Sequence, residues 1–139
     1  MINISLRVYF QLVFLLLSIL FFRQNAFGQT KPNPVNGIWV DSNSMAFTNG
    51  YAIFSVDEQG KLAMTHYVEF NGVGMVEKGI GFCSHGTLNY EAIVTKGIPG
   101  WSLKGQHILT LSEDGNTLRG YYKDAKGNTG PLVFKRLRP

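Results

Sequence analysis

One cysteine, Cys83, stands in the whole chain, so no internal disulfide can brace the fold. Stability must come from packing and backbone pairing. Tryptophan is scarce too, with only Trp39 and Trp101. Charge is sparse: 13 Lys and Arg stand against 9 Asp and Glu, and the densest basic group, Lys135, Arg136 and Arg138, is a short chain end. Nucleic-acid binding calls for a clustered basic face and is therefore not expected. Nowhere does an apolar spacing of three and four persist for the length of a helix, which excludes a helical bundle. The histidines His66, His85 and His107 are scattered, and no tight His/Asp/Glu spacing suited to a metal occurs, so neither zinc nor another metal is expected. Gly72-Val73-Gly74 is followed by no helix start and no Lys-Ser/Thr pair, which excludes a phosphate loop. No cofactor is implied.

The N-terminus has the form of an export signal. Met1 to Arg7 is weakly basic, Val8 to Phe22 is an apolar run broken only by Gln11 and Ser18, and Ala26 and Gly28 are the small residues that a cleavage site uses. The run is short of the roughly 20 residues of a membrane span. The rival reading, an uncleaved anchor, draws on Arg23 and on the length of the run. The expectation is a signal peptide over residues 1–28 and a soluble bacterial product, periplasmic or secreted, with no membrane span after cleavage. No cysteine lies near the cleavage site to take a lipid. Loss of the leader removes Arg7 and Arg23 and no acidic residue, leaving a nearly neutral chain of about 110 residues, the size of one domain.

Strand and turn signals then follow one another to the end. Residues 29–35, with Pro32 and Pro34, form an extended lead-in, and residues 36–139 a single domain. Expected strands run from Ile38 to Asp41, Tyr51 to Val56, Lys61 to Phe70, Val73 to Cys83 and Thr87 to Thr95. A short piece from Trp101 to Lys104 comes next, then Gln106 to Ser112, Thr117 to Tyr122 and Pro131 to Leu137. The third strand alternates most cleanly, placing Leu62, Met64, His66, Val68 and Phe70 on one face. Asn71-Gly72 and Asp114-Gly115 are tight-turn signals. Gly74, Gly79 and Gly81 suggest bulges, close backbone approach, or a sheet curling on itself. The fold class is all-β, about eight antiparallel strands in a meander, closed or nearly closed.

On the last strand Leu132, Phe134 and Arg136 share a face, so a guanidinium lies among large apolar groups and wants a partner. An indole face is a good one. Trp39 is expected to meet Arg136 or Arg138, joining first strand to last. Gly37-Ile38-Trp39 on the first strand with Arg136 on the last resembles the lipocalins and their calycin relatives. That resemblance implies a barrel holding a small ligand. Avidin-type barrels also begin with a similar strand, but their pocket is rich in tryptophan, so biotin is not implied.

Candidate site residues follow from the expected inward faces. His66 points into the interior with Met64 and Val68, either as a hydrogen-bonded core residue or as a ligand contact. Of Tyr90 and Glu91, whichever faces inward orients a polar ligand group. Trp101, after Pro99-Gly100, is the expected exposed aromatic and rims a cavity or caps the core. Cys83 is expected to be buried and inert, with a reactive Cys83/His85 pair as the lesser reading. No catalytic motif is present. The leading function is an exported module binding a small apolar or amphipathic ligand. The alternative is a protein-interaction or inhibitor domain whose barrel is filled by side chains.

Overall fold

In the computed structural model, residues 31–43 and 45–137 are described. The expected leader over residues 1–28 and Arg138 lie outside them. Eight strands follow in chain order: β1 (Gly37–Asp41), β2 (Phe47–Val56), β3 (Lys61–Phe70), β4 (Val73–Ser84), β5 (Thr87–Lys96), β6 (Lys104–Leu111), β7 (Thr117–Asp124) and β8 (Thr129–Arg136). Each pairs antiparallel with the next, and β8 pairs with β1, so the meander closes into a barrel. No helix forms among the described residues. The architecture is consistent with a calycin-like fold.

The turns act where local chemistry puts them. Asn71 and Gly72 take φ of 51° and 74°, the paired positive values that a two-residue hairpin needs. His85 and Gly86 do the same at 49° and 77°. One expected strand is not formed: Trp101 to Leu103 belong to the β5–β6 connection, and only Lys104 of that piece pairs, as the first residue of β6. Pro99 and Gly100 bend the chain there, and Trp101 N donates to Ile98 O at 3.1 Å, closing a turn. β2 starts at Phe47, four residues ahead of the expected Tyr51, with a register shift between Phe47 and Asn49.

Glycine makes room for backbone. A Cβ on Gly120 would stand 1.8 Å from Ile108 O, so the space beside it belongs to the main chain of β6. Close approach is likewise the role of Gly79, where a Cβ would meet the Tyr90 ring at 2.6 Å.

One end of the barrel is packed solid. Trp39, Phe54, Leu88, Tyr90, Leu109, Leu118 and Phe134 are buried there with Val35, which precedes β1 and tucks under it. Phe54 stacks edge-on against Trp39, Tyr90 and Phe134. Trp39 Nε1 donates to Val35 O at 3.0 Å, so the buried indole is satisfied. The Arg136 guanidinium lies 4.2 Å from the Trp39 ring centroid, directly across the β1–β8 register. The expected pairing of first strand and last is present. Arg136 also donates to Gly115 O at 2.9 Å, to Asn36 O at 3.2 Å and to Pro34 O. One side chain thus ties together the lead-in, β1, β8 and the β6–β7 turn.

Trp39→Ala is expected to cost about 3–5 kcal/mol, the range for large-to-small changes in a packed core. Arg136→Lys, which keeps the charge and loses the flat fork, should lower stability by more than half of what Arg136→Ala does. Urea denaturation measures both; a midpoint unmoved in Trp39→Ala would remove the clasp from its place in the fold.

Candidate functional site

Because the chain is a meander, the β1–β2, β3–β4, β5–β6 and β7–β8 connections all emerge at the end opposite the Trp39–Arg136 clasp. The barrel is not filled there. A cavity of about 390 Å³ opens among those connections, within the range that small-molecule sites occupy. Its apolar wall includes Phe47, Val68, Met75, Val94, Trp101 and Leu132. Among its polar groups, Asp41, His66, Glu77 and His107 are buried, and they come from four different strands.

His66 is the centre of that group. Period two on β3 turns it inward beside Met64 and Val68, and its ring packs edge-on against Phe134 at 5.4 Å. It therefore sits where the packed half of the barrel ends and the cavity begins. Nδ1 donates to Glu77 Oε1 at 3.0 Å, and Nε2 lies 3.0 Å from Asp41 Oδ2. The second contact is an ion pair, so each ring nitrogen faces a carboxylate. All three side chains are at least nine-tenths buried.

Each carboxylate arrives by a different local device. The two-residue turn at Asn71-Gly72 pairs Phe70 with Val73, and counting back along both strands sets His66 directly opposite Glu77. A register shift between Val76 and Glu77, against β5, accompanies it. Asp41 is two strands away from His66, on β1. It crosses β2 because the residues it must pass are small: Gly50 and Ala52. A Cβ at Gly50 would stand 2.7 Å from the Asp41 Cβ and 3.5 Å from Val68. Asp41 Oδ1 is held in turn by Asn43, which donates from its backbone N at 2.8 Å and from Nδ2 at 2.6 Å.

Electrostatics follow from this geometry. Burial opposes charge on His66, but the two carboxylates outweigh it and raise the imidazole from 6.5 to about 9. His66 is therefore a cation at neutral pH. His107 behaves oppositely: burial lowers its pKa, against the pull of Glu77. Its Nδ1 and the Tyr90 hydroxyl share a hydrogen bond at 3.2 Å. Tyr90 itself is pushed well above its ordinary value by burial, with Glu77 and Asp41 adding to the effect.

Of the residues singled out from the sequence, His66, Val68 and Trp101 line the cavity. Met64 and Tyr90 belong to the packed core, and Glu91 faces outward to Lys104 at 2.9 Å. Trp101 is half-buried against Phe47 and Phe70, with ring centroids 6.2 Å and 5.5 Å away, where an exposed aromatic was expected. The turn from Ile98 to Trp101 sets the indole against those rings at the barrel mouth. Cys83 is half-buried and packs at the edge of the core, less enclosed than expected because β4 ends one residue later. His85 lies in the turn with Nδ1 2.9 Å from Ser84 Oγ. Asp41 and Glu77 were missed. Strand parity with Trp39 carried a signal for the first, and the Asn-Gly register one for the second.

The rim is braced. Lys126 Nζ donates to Gly100 O at 3.0 Å, joining the β7–β8 and β5–β6 connections. Asp124 Oδ1 accepts from Lys126 N and Asn128 N, each at 2.8 Å, which shapes the β7–β8 turn. Asn43 Oδ1 accepts from Val133 N and fixes the β1–β2 connection to β8. Among the described residues no group of three His, Cys, Asp or Glu is arranged to hold a metal ion. The chain matches no protein-family model and no curated protein.

A raised histidine pKa means that folded protein holds a proton that unfolded protein releases between pH 6.5 and about 9. Stability from His66 is thus fully present below pH 6.5 and is lost as pH rises through about 9, by an amount on the order of a few kcal/mol. His107 has the opposite sign and acts only below pH 6.5, outside that window. Denaturation across pH 6.5–9.5 should show this fall, and His66→Gln should flatten it. Gly50→Val, which displaces Asp41, should lower the His66 titration midpoint followed by NMR; an unchanged midpoint would take Asp41 out of the cluster.

Proposed function

We propose that this protein is an exported binding module whose barrel takes one small amphipathic molecule through the open end, in the manner of a calycin. The reading is carried by one observation: the barrel is half filled, and the unfilled half ends on charged side chains. An eight-strand barrel has an interior just wide enough to be filled by side chains or to hold one small ligand, and here the two outcomes divide the barrel between them. Apolar walls give affinity and a few fixed polar groups give orientation. Phe47, Val68, Met75 and Leu132 supply the first, and Asp41, His66, Glu77 and His107 the second.

The outer surface favours this reading over an interaction domain with a filled core. Ile80 and Phe82 are the most exposed apolar residues of the strands. Three of their four neighbours across the sheet are polar or charged: Phe82 lies between Lys61 and Asn89, and Ile80 between Ala63 and Glu91. Apolar residues scattered among charges in this way are ordinary surface and do not make an interface. The N-terminal signal read from residues 1–28 supports export, which puts the module where it meets ligands outside the cytoplasm.

The neutral apolar dye N-phenylnaphthylamine should brighten on titration with a single saturable site. It should raise the melting temperature, as a ligand of the folded form must. Ser102→Trp, which puts an indole at the mouth, should abolish both responses while leaving the melt of the free protein near wild type. Saturable binding that persists in Ser102→Trp would place the site elsewhere and overturn the cavity as the site.

A further inference from the structure

A small organic cation is what the inner end of the cavity is built to receive, and we infer that its guest carries a protonated amine on an apolar body. This inference rests on the binding reading above and adds the charge of the ligand. Counting charge at the floor gives the first reason. Asp41 and Glu77 flank a single imidazolium, so one negative charge is left over in a place shielded from water. An uncompensated charge in such a place is costly and attracts a counter-charge.

The cations on the described residues around the cavity do not supply it. Lys104 turns outward and pairs with Glu91 at 2.9 Å. Lys126 is held at the rim on Gly100 O at 3.0 Å. His107 is kept neutral by burial. Both ring nitrogens of His66 already face the carboxylates, Nδ1 toward Glu77 Oε1 and Nε2 toward Asp41 Oδ2, each at 3.0 Å, so the imidazolium has no further donor to offer and the surplus charge stays on the carboxylates.

The rest of the cavity tells against the other classes of guest. A carboxylate or phosphate would add negative charge beside Asp41 and Glu77. A metal ion finds no suitable group of three ligands among the described residues. A purely apolar guest fills the cavity but leaves the net charge at its floor with nothing opposite it, so it binds less tightly than an amine of the same shape. An amine with an aromatic or aliphatic tail satisfies both halves: the ammonium meets the carboxylates, and the tail lies along Met75, Val68 and Leu132 toward Trp101 and Phe47. Trp101 at the mouth also gives an entering cation an aromatic face to pass over.

Isothermal titration calorimetry at neutral pH with three probes of one skeleton tests this: phenethylamine, phenethyl alcohol and hydrocinnamate. The amine should bind at least about tenfold more tightly than the alcohol, a difference of about 1.4 kcal/mol, and the carboxylate should bind least. In Glu77→Gln, which removes the surplus charge and keeps the shape, amine and alcohol should become equal within about threefold. Circular dichroism and the melt establish whether that variant folds; if it does not, the order of affinities in the wild-type protein decides alone. Alcohol or carboxylate binding as tightly as the amine overturns the inference, as does an amine preference that survives in a folded Glu77→Gln. Silence from all three probes while N-phenylnaphthylamine still binds overturns the cation and leaves the binding module standing. Silence from the dye as well removes both.

Discussion

Closure of the sheet centres on one side-chain contact, the Arg136 guanidinium over the Trp39 indole at 4.2 Å. β1 is the shortest strand, five residues long, and it must pair on both sides. A strand that short brings few ladder hydrogen bonds, so the side chains that join it to β8 carry much of the burden. Arg136 is suited to this because its planar fork reaches carbonyls in several directions while its face stacks on the ring. With Val35 and Trp39 drawn into that end, the larger core cluster gathers there, while the opposite end holds a smaller one, Val68, Met75 and Ile98 with Phe47, Phe70 and Trp101, beside the cavity. Cavity and clasp are two results of one uneven distribution of side chains along the barrel axis.

Where the packing stops, charge begins. A buried histidine between two carboxylates is expensive to desolvate, and a core of apolar residues would be at least as stable in its place. The chain nevertheless spends two special positions on it: Gly50, which lets Asp41 cross β2, and the register shift beside Glu77. Devices of that kind, placed at the boundary of a cavity, fit a role in recognition better than one in stability. The rim, tied by Lys126 and Asn43 to neighbouring connections, keeps the mouth in shape for a guest of limited size.

Much of the architecture was legible in the residues. Alternation along Lys61–Phe70 assigned the inward face of β3, His66 included, because a strand has no choice but to send successive side chains to opposite sides. Asn71-Gly72 is the turn that its chemistry demands, and the shared face of Leu132, Phe134 and Arg136 called for an indole that Trp39 supplies. Less legible was Trp101 to Leu103, where β-favouring residues are overruled by the turn that Pro99 and Gly100 impose.

By itself the sequence determined most of the strands, their order in a meander, the inward face of β3 and an indole–guanidinium pair at the seam, all of which depend on near neighbours and on a period of two. Only the tertiary structure decided that Asp41 meets His66 and that one half of the barrel stays open. The first needs a side chain to pass over an intervening strand at a glycine, and the second is a sum of volumes over eight strands. Neither quantity is local, and a linear pattern of residues does not contain it.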